Sequence, residues 1–165
     1  MTKKIVSFFI PIIAVLIGVF CIRTLNIFIV SGESMYPTFK DSDILICYST
    51  ILDENEIHRM DRVIIDNDGE NIIKRIIGLP GETVSLVDGY IYIDDVKLDD
   101  VVDIKIKDAG LLSSPILLDD NEYFVLGDNR NNSLDSRTYG AFSFSDIITD
   151  IDYNLRVKNK DLIIL

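Results

Sequence analysis

The chain has 165 residues, room for one domain and a short additional segment but not for two independent cores. Its formal charge is −11, and no acidic residue precedes Glu33, so the part after Arg23 sets 27 acidic against 13 basic residues, a net of −14. A surface of that sign repels phosphate, which excludes nucleic acid as a partner and argues against polybasic docking on anionic lipid.

The first element in chain order is an apolar run. From Ile5 to Ile22 every residue is apolar or small except Ser7, and Pro11 and Gly18 are its helix-weakening positions. This is at the short end of what spans a bilayer, and local thinning absorbs the difference. Lys3 and Lys4 before the run and Arg23 after it favour a cytoplasmic N-terminus and an external remainder. A cleaved signal peptide is the alternative, but its apolar core is usually about 7–15 residues long and ends at a small-x-small site. Here Arg23 to Val30 offers no such site. The expected organisation is therefore a cytoplasmic N-terminus and transmembrane anchor over residues 1–23, followed by one domain over 24–165.

After the anchor, short runs of β-branched and aromatic residues alternate with turn signals. Leu25 to Val30, Ile44 to Tyr48, Arg62 to Ile65, Asn71 to Ile77, Thr83 to Val87, Tyr90 to Ile93 and Tyr123 to Leu126 read as strands. Asp88-Gly89 and Asn67-Asp68-Gly69 mark hairpins. Ile148 to Val157 and Leu162 to Leu165 read as closing strands, and the polar stretch from Leu98 to Leu117 as a surface excursion. No long segment after Arg23 has a 3.6-residue amphipathic period. The predicted fold is mainly β, an antiparallel β-rich domain on a single N-terminal transmembrane helix.

The chemistry begins with an absence. His58 is the one histidine, and it lies in the charged stretch Asp53 to Arg59, a solvent-exposed setting rather than that of an oriented base. Two cysteines and one histidine also make a zinc site improbable, and no metal or cofactor is expected. Cys21 falls in the anchor and Cys47 in a strand, so both read as buried apolar residues without a disulfide.

Three segments carry functional candidates. Ser34 lies in Ser31-Gly32-Glu33-Ser34-Met35-Tyr36-Pro37-Thr38-Phe39, bounded by Gly32 and Pro37. Such a loop is the rigid, exposed setting a nucleophile needs, and equally the setting of an ordinary turn serine. Lys74 stands in an apolar strand where Ile72, Lys74 and Ile76 share one face and Ile73, Arg75 and Ile77 the other. At least one of the two cations must be desolvated or reach a rim. A buried lysine loses basicity and can act as a general base, whereas a snorkelling one is merely structural. The third segment, Gly127 to Arg137, is a polar loop that could equally supply supporting groups, with Asp135 and Arg137 paired to brace it.

Together, in this order behind an N-terminal anchor, the three segments resemble those of the type I bacterial signal peptidases, the serine–lysine family that removes signal peptides from exported proteins. The resemblance runs from about Val30 to Tyr139 and is weak from Asp88 to Asn121 and after Phe144. The single anchor and short middle region are closest to the compact Gram-positive forms. The resemblance implies Ser34 as nucleophile, Lys74 as general base and Ser133 as a hydrogen-bond partner of the lysine amine. It implies Asp135 and Arg137 as support, Met35 beside the membrane-facing edge of the cleft, and the Ser34 backbone N–H in the oxyanion hole. It further implies preprotein signal peptides as substrates, the lipid bilayer as surroundings, association with the secretion machinery, and a place in the cell membrane with the catalytic domain outside.

Four positions depart from the family pattern. Gly32 stands where some relatives have an oxyanion serine, Ser42-Asp43 and Met60-Asp61 where Gly-Asp is usual, and Glu82 where an aspartate is usual. Two other functions fit parts of the same sequence. A self-cleaving regulator of the repressor type also uses Ser and Lys, but the anchor and acidic balance oppose it. A non-enzymatic membrane-tethered β module would leave the paired motifs without a role.

Overall fold

The computed structural model describes residues 10, 11, 13, 15, 25–48, 54–151, 155–158 and 161–164. Positions 10, 11, 13 and 15 are helical, while the rest of the expected anchor lies outside the described residues. Among the described residues, no helix is long and apolar enough to cross a membrane.

The strands, in chain order, are β1 (Leu25–Ile29), β2 (Ile44–Tyr48), β3 (Arg62–Asn67), β4 (Glu70–Gly78), β5 (Thr83–Val87), β6 (Tyr90–Ile93), β7 (Val96–Lys97), β8 (Ile116–Leu117), β9 (Glu122–Leu126), β10 (Phe142–Ser143), β11 (Ile147–Asp150), β12 (Leu155–Lys158) and β13 (Asp161–Ile164). A single helical turn, α1 (Ser136–Tyr139), follows β9. The described strands form three antiparallel sheets, ordered β1-β2-β12-β13, β10-β9-β4-β3-β11 and β7-β6-β5-β8. The mainly β, antiparallel character expected from the sequence is thus present.

The central sheet is apolar on both faces, in keeping with the isoleucines on either side of Lys74-Arg75 in β4. Ile76 joins Val63, Ile65, Tyr123 and Val125 on one side, capped by Ile57, Phe142 and Ile147. Ile77 joins Phe124 and Leu126 on the other, against Val84, Ile91 and Ile93 of the third sheet. Farther along the central sheet, Ile64 packs with Val30, Met35, Phe39, Leu45, Cys47 and Ile151. The alternation read from the sequence is therefore the alternation of the cores.

Two details of the sequence reading change. The stretch from Leu98 to Leu117 is not purely a surface excursion, because Ile106 and Leu112 are buried in the core beneath the third sheet. Ile106 stands between Lys105 and Lys107, and Leu112 in a short stretch of small residues, so neither gives a periodic signal. The hairpin β6–β7 turns on Asp94-Asp95, both with positive φ (48° and 65°), a pair without the glycine that marks such turns.

The departures from Gly-Asp have a backbone consequence. Ser42 and Met60 hold φ of 67° and 77°, the left-handed region a glycine would enter without strain. The aspartates after them are retained for a local reason. The Asp43 carboxylate accepts from Lys40 N at 2.7 Å, and that of Asp61 from His58 N at 2.6 Å, closing each turn. Glu82 accepts from Leu79 N at 2.7 Å and pairs with the guanidinium of Arg59.

Candidate active site

The loop from Ser31 to Asp43 connects β1 to β2. Two backbone hydrogen bonds close its ends, Val30 N to Asp43 O and Ser42 N to Val30 O, each 2.8 Å. Inside it, Phe39 N donates to Met35 O at 2.9 Å, and Phe39 and Met35 plug the core as fully buried side chains. The loop is thus nailed down on both sides of Ser34. Gly32 holds a φ of 82° and donates its N–H to Asp41 at 2.8 Å, which keeps the Asp41 carboxyl below its usual range. Ser34 itself is half-buried, and its own backbone N–H has no partner among the described residues.

β4 brings Lys74 to this loop. Its side chain is 3% exposed, and its Nζ lies 3.1 Å from Ser34 Oγ and donates to Ile73 O at 2.9 Å. Burial pushes the ammonium down to about 8, against smaller opposing pulls from Asp135 and Glu70. The sequence left open whether Lys74 snorkels; it is enclosed. Arg75, expected to share the difficulty, is buried as well, and its guanidinium forms a forked pair with Asp128 at 2.7 and 2.6 Å.

The segment from Gly127 to Arg137 wraps the other side of Ser34. Asp135 caps α1 and takes the Arg137 guanidinium in two bonds of 2.8 Å, and it also accepts from Gly127 N at 3.0 Å. This is the expected bracing pair, with both residues buried. Asn129 N donates to Ser34 O at 2.9 Å, and Asn129 Nδ2 to Glu33 O at 3.1 Å. Gly127 allows this approach, since a Cβ there would lie 2.5 Å from Ser34 O and 2.6 Å from Ser133 Cβ.

Two expected placements differ in detail. Ser133 lines the same cleft as Ser34 and Lys74, but its hydroxyl makes no hydrogen bond and is buried without a partner. The Lys74 amine is instead engaged by Ser34 and the Ile73 carbonyl. Met35 lines the cleft but does not sit at an exposed edge. Its side chain is buried between Phe39 and Leu45, because the turn at Tyr36 to Phe39 directs it into the core. His58 is exposed, as the charged stretch around it implied.

Sequence reasoning assigned no role to Asp128. It is fully buried, bonded to Arg75 and to the Thr38 hydroxyl, and so ties β4, the Ser34 loop and the third segment together. Burial works against its carboxylate, but these bonds and the charge of Arg130 hold its pKa below the ordinary range. The signal was present in Arg75, a cation in an apolar strand that had to find a buried anion.

The cleft itself runs between two strand edges. β4 pairs with β9 only from Arg75 onward, so the β9-side edge of Glu70 to Lys74 has no strand among the described residues. Phe28, Ile29, Val30, Ile72 and Ile73 line the cleft together with Ser34 and Lys74. The lining is mixed, with Ile29, Ile72 and Ile73 beside Ser31, Glu70 and Asn71.

The family model described as signal peptidase, peptidase S26, matches residues 2–155. The chain is 37% identical over 123 residues to signal peptidase I S of Bacillus subtilis (strain 168), covering 67% of this chain and 65% of that relative. It is 39% identical to a signal peptidase I of Bacillus licheniformis, covering 64% of it, so the chain spans slightly less than two thirds of both. Against signal peptidase I U of Bacillus subtilis (strain 168) it is 35% identical over 156 residues, 88% of this chain and 83% of that one. A crystal structure of a signal peptidase I from Enterococcus faecalis V583 aligns with a TM-score of 0.49 at 29% identity, over 56% of this chain and 93% of that one. With a family model matching nearly its whole length and relatives above 30% identity of which it spans more than four fifths, the chain belongs to the S26 signal peptidase family.

Proposed function

We propose that the chain is a membrane-bound serine endopeptidase that removes N-terminal signal peptides from exported proteins after small-x-small motifs, with Ser34 as nucleophile and Lys74 as general base. The observation that carries this reading is the 3.1 Å approach of Lys74 Nζ to Ser34 Oγ in a setting where the lysine is buried and its basicity lowered. A protonated lysine cannot accept a proton; a lysine with its pKa near 8 is neutral often enough to do so.

Neutral Lys74 takes the Ser34 hydroxyl proton as Oγ attacks the scissile carbonyl. The oxyanion develops against the Ser34 backbone N–H, which is free to receive it, and a second donor that Gly32 cannot supply from a side chain. The tetrahedral intermediate collapses, Lys74 passes its proton to the leaving amine, and the mature protein departs. A water deprotonated by Lys74 then attacks the acyl ester and releases the signal peptide. A neutral amine has two N–H groups and one lone pair. Ser34 takes the lone pair and Ile73 O one N–H, which leaves one N–H for the unpartnered Ser133 hydroxyl, the orienting role we assign to it.

The substrate enters as an added strand along the open edge of β4. Shallow pockets beside Ile29, Ile72 and Ile73 would admit small side chains and reject large ones on steric grounds, which would account for small-x-small specificity. In this reading residues 1–23 form a single anchor with a cytoplasmic N-terminus, residues 24–165 lie outside the membrane, and the secretion machinery delivers the preprotein. The test incubates the detergent-solubilised protein with a preprotein bearing an Ala-x-Ala site. Wild type is expected to cut after the second alanine, and Ser34→Ala and Lys74→Ala to leave it intact; turnover by either variant overturns the reading.

A further inference from the structure

A chain of polar contacts links the nucleophile loop to the residues between Leu98 and Ser113. Asn129 holds the Ser34 and Glu33 carbonyls. The next residue, Arg130, has a fully buried side chain that donates to Gly127 O at 3.1 Å and grips the Asp100 carboxylate in two bonds of 2.7 and 2.8 Å. Asn131 then behaves like a piece of strand. Its Oδ1 accepts from Lys107 N at 2.9 Å and its Nδ2 donates to Lys105 O at 3.0 Å. Farther along, Arg137 Nη1 donates to Asp108 O at 3.3 Å, and Gly110 is pressed against the Arg137 backbone.

Resting on the reading of Ser34 as nucleophile, we infer that the segment from Leu98 to Ser113 is a brace that positions Ser34 through Asp100, Arg130 and Asn131. Three physical points carry this. The contacts converge on Arg130 and Asn131, which directly follow the residue holding Ser34. Core residues Ile106 and Leu112 fix the segment to the sheet, so it is a rigid support rather than a loose flap. The Arg130 side chain is buried, with Nη2 donating to both Asp100 oxygens and Nη1 to Gly127 O, so Asp100 supplies the anion that a desolvated guanidinium needs and ties the segment to the residue after Asn129. None of the three bonds to Ser34 or Lys74; Asp100 and Arg130 lie outside the cleft and act through Asn129, while Asn131 also lines the cleft.

The test measures kcat and KM for a peptide substrate with Asp100→Asn and Asn131→Ala, at temperatures well below each variant's melting point. Asn131 is exposed, so its variant folds even where loss of Asp100 weakens the chain. Displacing a nucleophile by an ångström costs on the order of a hundredfold, so kcat is expected to fall at least about tenfold in both variants with KM within about twofold. The double variant Asn131→Ala/Asn129→Ala is expected to lose less than the product of the single losses, since both act on one path. Asp103→Asn, an exposed change of the same charge in the same segment, is expected to keep wild-type rates. The inference is overturned if both variants melt earlier but retain wild-type kcat, or if their effects multiply independently with that of Asn129→Ala. Activity in Ser34→Ala would instead defeat the nucleophile assignment and leave the contacts as structural only.

Discussion

Lys74 pairs a chemical gain with a stability cost, and both have a definite pH dependence. Its ammonium has a pKa of about 8 in the folded chain against 10.5 when solvated. In the proposed mechanism the competent form is the neutral one, so kcat/KM is expected to rise through a midpoint near 8 and level off above it. A profile flat from pH 6 to 10 would remove the lysine from the role of base. Stability follows the same titration. Between the two pKa values the unfolded chain binds more protons than the folded one, so stability rises with pH across that window. Below about 8 both states are charged and the folded state carries the full burial cost, about 3 kcal/mol for a shift of this size. Lys74→Met is therefore expected to be inactive yet more stable at pH 7 by that order, with the gain vanishing above pH 10.5 in urea unfolding. Asp128 behaves in the opposite way. Asp128→Asn leaves the Arg75 guanidinium buried without its anion and is expected to destabilise the chain by about 3–5 kcal/mol. A loss below about 1 kcal/mol would mean that Arg75 finds another partner.

Among the elements, β4 does most to join fold and site, and it was the easiest to read. Its Ile-rich run could only be a strand buried on both faces, and the two cations inside it required special partners. The hairpin at Asp88-Gly89 was equally plain, because the turn residues adopt the positive φ their types allow. What the sequence could not provide was the convergence of distant segments. Ser34, Lys74 and Asp128 lie far apart in the chain and meet only because β4, β9 and the β1–β2 loop share one end of the central sheet. Short elements such as β7, β10 and α1 give no usable period, Ile106 is hidden between two lysines, and Leu112 lies in a stretch of small residues that reads as a loop. The approach between the Ser34 loop and the residue after β9 was also invisible, since nothing in the sequence says that Gly127 faces another backbone. That approach is testable. Gly127→Ala would drive a methyl group into Ser34 O and Ser133, so it is expected to lower kcat by about a hundredfold. An active Gly127→Ala enzyme would show that the loop yields without moving the proposed nucleophile.

For the molecule as a whole, net charge and the placement of apolar surface together limit how it can meet a membrane. A domain with a net of −14 after Arg23 gains nothing from anionic headgroups and is repelled by them. Contact beyond the proposed anchor must then come from exposed apolar side chains. The β1–β2 ladder supplies them on one face. Ile27 and Ile29 are 68% and 69% exposed, and Ile44, the register partner of Ile29, is also exposed. This face begins at Ile27, four residues after the proposed anchor, and residues of β1 line the cleft, so seating it in the interface would hold the cleft close to the membrane surface. Ile27 and Ile44 do not line the cleft, which separates membrane seating from substrate binding. The double variant Ile27→Glu/Ile44→Glu is therefore expected to cleave a short soluble peptide within about twofold of wild type, yet to process a vesicle-embedded preprotein about tenfold more slowly, the size expected if burying these two side chains contributes a few kcal/mol, of which part is lost to screening and reorientation. Raising the fraction of anionic lipid is expected to slow wild-type processing at low salt, and added salt to restore it. Equal losses on both substrates would place these isoleucines in the fold or the cleft rather than at the membrane.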